Sequence, residues 1–159
     1  MKRLMIFLLS TVLAAPMATH ARHERSLAVG LEAGSITGAN VKLWTNEVNA
    51  LEVTVGSAWP GTVEFKGSYL WHQFGVFHSE KEDLDHRLPL YFGAGGVLVG
   101  SGTPYLGGVP LAGVYGVAGI SYLFRDQPFD LFLELRPTLY LTPSALHLFQ
   151  AGVGSRYYF

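Results

Sequence analysis

Between Phe129 and Leu141 the chain alternates strictly: Phe129, Leu131, Leu133, Leu135 and Leu139 interleave with Asp130, Phe132, Glu134, Arg136 and Thr138. A period of two sends successive side chains to opposite sides of an extended strand, whereas a helix groups residues three and four apart. The run is therefore a strand with one apolar and one polar face. No stretch of the chain shows a convincing period of 3.6, so the whole reads as β-structure.

The last nine residues, AGVGSRYYF, repeat the pattern. Ala151, Val153, Ser155, Tyr157 and Phe159 form a face that becomes aromatic at its end, and Gly152, Gly154, Arg156 and Tyr158 form the other. The same ending occurs earlier as GVAGISYLF, where Gly119, Tyr122 and Phe124 match Gly154, Tyr157 and Phe159. Two strands running in the same direction are expected to reach the same interface with the same aromatic anchors. Terminal aromatics of this kind suit the last strand of a barrel held at a membrane interface.

Gly, Pro, Asn and Asp divide the remaining chain into runs of strand length. Eight strands are expected, near Arg25–Gly34, Ala39–Thr45, Ala50–Trp59, Thr62–Phe77, Leu88–Gly100, Val109–Phe124, Phe129–Leu141 and Ala145–Phe159. The alternation in the fourth blurs toward Phe77, where a bulge would reset it. Ser35 to Gly38, Asn46 to Asn49, Pro60-Gly61 and Arg125 to Pro128 read as turns. The charged run Ser79 to Arg87 reads as a solvated one. An even strand number and short connections favour a closed antiparallel barrel, which leaves no unpaired edge. With both ends of the barrel on the periplasmic side, the loops at Ser35, Pro60, Ser101 and Pro143 face outward.

Lys2-Arg3, the apolar stretch Leu4 to Ala15 and small residues up to Ala21 form a secretory signal peptide, so residues 1–21 are expected to be cleaved and residues 22–159 to form the barrel. The apolar stretch is too short to span a bilayer as a helix. Without it, nine Lys and Arg face twelve Asp and Glu in 138 residues. That slight acidity supports neither nucleic-acid binding nor a polybasic membrane patch. The absence of cysteine removes disulfides, thiolate catalysis and Cys-ligated zinc. A closed sheet in a bilayer supplies stability in their place, because its backbone hydrogen bonds are all internal.

A barrel pattern can be read with its apolar face inward, as in a soluble lipocalin-like binder of an apolar ligand, or outward, as in a membrane barrel. Charged residues number 21 of these 138, well below the roughly 25% of soluble domains. The polar faces collect Glu32, Glu52, Glu64 and Glu134 against Lys42, Lys66, Arg136 and Arg156, four of each sign. A narrow lumen of low dielectric requires such balance, since an unpaired buried charge costs several kcal/mol. Eight strands leave room only for side chains, so these ion pairs are expected to plug the barrel. The fold expected is thus all-β, an eight-stranded antiparallel transmembrane β-barrel behind a cleavable signal peptide.

SYLFRDQPFDLFLELRPTLYLTPS (121–144), GVGSRYYF (152–159), YLWH (69–72) and RLPLYFGAGG (87–96) resemble a family of small bacterial outer-membrane β-barrels of uncharacterised function. The resemblance covers most of the chain after the signal peptide and rests on structural motifs. It implies the outer membrane of a Gram-negative-type bacterium, with outer-membrane lipid and lipopolysaccharide as surroundings. Tyr157 and Phe159 resemble the signal read by the barrel-assembly machinery. No catalytic motif, cofactor or nucleic-acid partner is implied.

Chemistry elsewhere is sparse. Some eight-stranded barrels modify lipid A through a Ser/His pair at the outer rim. His78 and Ser79 are adjacent and so point to opposite faces of a strand, whereas Ser144 and His147 stand at the outer end of the last strand without an acidic partner to orient the imidazole. His72, His78, His86, Asp83 and Asp85 match no strong metal-ligand spacing. Gly93, Gly95, Gly96, Gly113, Gly116 and Gly119 follow no strand-to-helix transition, so they make room for curvature and lumen side chains and do not cradle phosphate. The function expected is structural or in envelope maintenance, without catalysis. The alternatives are a lipid A acyl hydrolase at the outer rim and the soluble binder.

Overall fold

The computed structural model describes residues 26–58, 60–77, 87–101, 110–124, 127–142 and 145–159. Residues 1–21, expected to be a signal peptide, and His78, Ser79, Asp83, Asp85, His86 and Ser144 lie outside them. Eight strands are formed: β1 (Leu27–Gly34), β2 (Thr37–Trp44), β3 (Asn49–Ser57), β4 (Thr62–Gln73), β5 (Leu90–Ser101), β6 (Leu111–Leu123), β7 (Phe129–Thr142) and β8 (Leu146–Tyr158). Each pairs antiparallel with the next, and β1 pairs with β8 to close the barrel. We call the rim where β1 begins and β8 ends proximal, and the opposite rim distal.

Period two is kept through the strands except at the distal end of β7, where Leu141 and Thr142 are both exposed. Outward positions carry Leu, Val and aromatic residues such as Leu31, Val53, Phe65, Phe92 and Leu133, all exposed; inward positions carry the charges, which are buried. The wall is thus apolar outside and largely polar inside. β8 is bonded along both edges. Gly152–Tyr158 pair with Gly34–Ala28 on one side, and Leu146–Tyr157 pair with Tyr140–Phe129 on the other. Phe159 adds a backbone N–H to the Leu27 carbonyl at 2.9 Å.

Several boundaries differ from the sequence reading, each for a local reason. β4 stops at Gln73 and not near Phe77, because Gly75 turns the chain at a φ of 75°. Thr37 and Gly38 belong to β2, not to the preceding turn. Gly38 faces Gly56 across the ladder, and a Cβ on it would fall 2.2 Å from the Val55 carbonyl oxygen, so close approach of two strands is what requires glycine there. The register shift lies in the β6–β7 ladder, where Ala112 pairs with Thr142 and Gly113 with Tyr140 so that Leu141 of β7 is the extra residue, and no bulge is found in β4. At the proximal turn after β2, Asn46 Oδ1 accepts from the N–H groups of Val48 and Asn49 at 3.0 and 2.8 Å, which is an Asx turn.

The echoed motif has a structural meaning on both faces. Outside, the Tyr122 and Phe124 rings meet edge to face at 4.8 Å, and Tyr157 and Phe159 do so at 5.0 Å, both at the proximal rim. Inside, Gly119 lies opposite Tyr91 and Gly154 opposite Phe132. A Cβ on either would fall 2.4 to 2.5 Å from the facing ring. Each glycine is the floor on which an aromatic ring lies flat across the strand.

Placement of the glycines yields a contrast. Gly119→Val forces its side chain into Tyr91 and is expected to destabilise the refolded barrel by about 1–3 kcal/mol. Gly67→Ala faces open space outside the barrel and is expected to stay within about 0.5 kcal/mol of the parent. Urea unfolding of the two refolded variants, followed by tryptophan fluorescence, measures both.

Candidate functional site

The structure places Glu32, Lys42, Glu52, Glu64, Lys66, Glu134, Arg136 and Arg156 inside the barrel, none more than 3% exposed. They come from β1, β2, β3, β4, β7 and β8. Four groupings result.

The first surrounds Arg136. Its Nη1 and Nη2 donate to the two carboxylate oxygens of Glu32 at 2.6 and 2.8 Å, and its Nε donates to Glu134 Oε2 at 2.8 Å. Glu52 lies 3.8 Å from Nη2. A planar fork with fixed donors suits two carboxylates at once, which a lysine in the same place would not achieve. Thr54 Oγ1 donates to Glu32 at 3.4 Å and itself accepts from Asn40 at 2.9 Å.

Arg156 lies on the proximal side of Arg136. Its guanidinium is 3.8 Å from the Phe132 ring centroid and within 3.1 to 3.8 Å of Glu52, Glu134 and Asp130. Only the bond from Nη2 to Glu134 Oε1, at 3.2 Å, has hydrogen-bond geometry; Nε and Nη1 pair by charge alone. Tyr91 donates to Glu134 at 2.6 Å and Tyr158 to Asp130 at 2.7 Å. Toward the distal rim, Lys66 pairs with Glu64 at 3.1 Å and donates to Gln150, and the Tyr140 hydroxyl donates to Glu64 at 3.3 Å.

Lys42 is held differently. Its Nζ lies 2.8 Å from His72 Nε2, 4.6 Å from the Trp44 ring centroid and 5.0 Å from that of Tyr91. His72 Nδ1 is 3.1 Å from the Val48 carbonyl oxygen, which can only accept. The Nδ1 therefore carries the hydrogen, and Nε2 accepts from the ammonium. Both ring nitrogens are engaged, which leaves neither to act as a base toward a hydroxyl. Cation–π attraction and one strong hydrogen bond here stand in for a carboxylate.

The count of four charges of each sign needs correction, because Asp130 is also fully buried in the lumen, making five carboxylates against four cations. It lies on the polar face of β7, where its parity was legible, but its place beside a turn concealed its depth. The sequence reading also missed the uncharged half of the lumen. β5 and β6 contribute no charge; they bring Tyr91, Val97, Val99, Leu111, Tyr115 and Val117, which pack with Ala50, Leu70 and Tyr140. The same parity rule applied to Tyr and Val would have found them.

Of the residues considered for other chemistry, His147 is exposed on the outer face of β8, and His72 is inside as described. Among the described residues no group of three or more acidic, His or Cys side chains is arranged to hold a metal ion.

Removing one partner of a buried ion pair strands the other, at a cost of about 3–5 kcal/mol. Arg136→Met, which exposes Glu32 and Glu134 to that penalty, is expected to lose about this much. Lys42→Met, which strands no hydrogen-bonded carboxylate, is expected to lose about 1–2 kcal/mol, the order of one unsatisfied imidazole nitrogen. Equilibrium unfolding of the two variants measures the difference.

Comparison with solved structures finds a likeness to the N-terminal β-barrel domain of Pseudomonas aeruginosa OprF, with a TM-score of 0.58 and 14% sequence identity over 84% of this chain and 95% of that domain. No family model and no curated sequence matches the chain. The likeness shows the fold: an all-β, closed, eight-stranded antiparallel barrel similar to that domain.

Proposed function

We propose that this chain is a small outer-membrane β-barrel whose role is structural or in envelope maintenance, with a lumen plugged by ion pairs and without catalysis. One observation carries the reading. Large apolar side chains face outward along all eight strands while nine charged side chains are buried inside. A soluble barrel that binds an apolar ligand needs the reverse arrangement, and its water-facing wall would lose several kcal/mol for each such inversion. In hydrocarbon the apolar wall is at rest and the closed ladder leaves no backbone edge.

The proximal rim supports the orientation. Trp71 stacks on Phe92 at 6.4 Å, and Phe129 meets Tyr157 at 5.1 Å, next to the two edge-to-face pairs described above. Outward aromatics gathered at one level form a belt of the kind found at a membrane–water interface. In this reading residues 1–21 direct export, the proximal rim faces the periplasm, and the distal rim meets lipopolysaccharide. The barrel-assembly machinery reads Tyr157 and Phe159. The motifs quoted above resemble those of small outer-membrane barrels of uncharacterised function, and that resemblance supports the same reading.

Cell fractionation combined with electrophoresis of boiled and unboiled samples tests the assignment. The protein is expected in the outer-membrane fraction with faster mobility when unboiled; a soluble protein of unchanged mobility overturns it. Deleting Phe159 is expected to reduce the assembled fraction in cells severalfold while changing the unfolding free energy of refolded protein by less than about 1 kcal/mol. Equal losses in both would refute the role of the terminal aromatics as an assembly signal.

A further inference from the structure

On the outer wall one side chain stands apart. Among the described strand residues that face outward, His147 is the only Asp, Glu, Lys, Arg or His. It is the second residue of β8 and so lies just inside the distal rim.

Beside it the wall is hollow. An outward-facing depression of about 460 Å³ is lined by Val114, Gly116, Pro137, Leu139, Phe149 and His147, together with the backbone between them. The sequence explains the hollow. Pro137 has no N–H to give to the ladder, and the pairing of β6 with β7 passes from Tyr115 with Thr138 directly to Ala118 with Leu135. Gly116, in the gap, has no side chain, and a Cβ there would only just touch Pro137 Cγ at 3.5 Å. Phe149 rises beside this floor, 73% exposed, more than any other large apolar side chain among the described residues.

The register then sets the order of groups along the wall. Pro137 pairs with Phe149, and Leu139 pairs with His147, one outward position nearer the distal rim. An imidazole thus lies on the rim side of an apolar hollow, with no carboxylate on the outer face of these strands to oppose it. Imidazole offers an N–H donor in either protonation state and a positive charge in one of them. Polar group toward the rim and apolar hollow toward the midplane is the order of a lipid's own headgroup and chain.

We propose that this part of β6, β7 and β8 is a binding site for a lipid with a phosphate headgroup, in which His147 donates to the phosphate and an acyl chain fills the hollow between Pro137 and Phe149. This rests on the membrane reading above. The site reads the phosphate group itself; in the orientation above the lipid met at the distal rim is lipopolysaccharide, and phosphatidic acid serves in the test as the probe of a bare phosphate headgroup against the ammonium-shielded phosphate of phosphatidylcholine. Binding here is non-covalent and breaks no bond.

The test uses the full barrel refolded into phosphatidylcholine vesicles that contain acyl-brominated lipid, with Phe149→Trp as a reporter in the hollow and Phe65→Trp as a reporter on β4, each signal taken as the difference from the unsubstituted barrel, whose Trp44, Trp59 and Trp71 are common to all variants. Brominated phosphatidic acid is expected to quench the Phe149→Trp signal with an apparent affinity about fivefold above that of brominated phosphatidylcholine, the effect of one basic group near an anionic surface. The preference is expected to vanish when His147→Ala is added and to be absent at Phe65→Trp. Equal quenching by the two lipids at Phe149→Trp, or a preference that survives His147→Ala, overturns the site. If neither lipid quenches either reporter, it is the membrane assignment itself that fails. Should the Trp reporter not refold, spin-labelled phosphatidic acid on the unsubstituted barrel serves instead. More motionally restricted lipid than with phosphatidylcholine is then expected, and His147→Ala should abolish the difference; no difference, or one that persists, overturns the site.

Discussion

The fork of Arg136 on Glu32 and Glu134 is the interaction on which the rest of the lumen depends. It joins β7 to β1 across 104 positions of sequence, spanning the place where the barrel closes. Buried ion pairs add little net stability when compared with an apolar filling of the same volume, but they penalise any arrangement that leaves one partner alone. Their effect is therefore on specificity. A strand slipped by one residue would turn its own charges to the outside and leave their partners alone in the lumen, so the network helps to hold the register.

Much of the remaining interior follows from housing that network. Tyr158 takes up the Asp130 oxygen that no arginine fills, and Tyr91 donates to Glu134 Oε1 alongside Arg156. Those rings need floor space, and Gly119, opposite Tyr91, provides it. Gly154 does the same for Phe132, which in turn supports the Arg156 guanidinium at 3.8 Å. The uncharged wall of β5 and β6 serves a complementary purpose. By bringing Val97, Val99 and Val117 against the tyrosines, it fills the remaining volume without adding a charge that would need a partner.

The strand number, the closure and the inward parity of the charges were legible because one rule, alternation, governs them all. Departures from that rule were less legible. Gly38 looks like a turn residue in sequence, since glycine signals both a turn and a close approach, and only the facing Gly56 separates the two. Asp130 has the right parity, yet a charge next to a turn is exposed in most proteins and buried here because Tyr158 reaches down to it. The pairing of Lys42 with His72 was not legible at all. It joins residues thirty positions apart on β2 and β4, strands that are not neighbours, through the interior of the barrel.

Both faces of β8 show how tightly these requirements are coupled. Inward, Arg156 sits among three carboxylates, and Gly152 and Gly154 make space for the side chains of neighbouring strands. Outward, Tyr157 belongs to the proximal aromatic belt, while His147 and Phe149 interrupt the plain apolar wall near the distal rim. Because successive residues alternate between these two environments, a single insertion in β8 would exchange them, placing arginine on the apolar outer wall and Tyr157 in the packed lumen. The order Arg156, Tyr157, Tyr158, Phe159 is thus constrained from both sides of the wall at once.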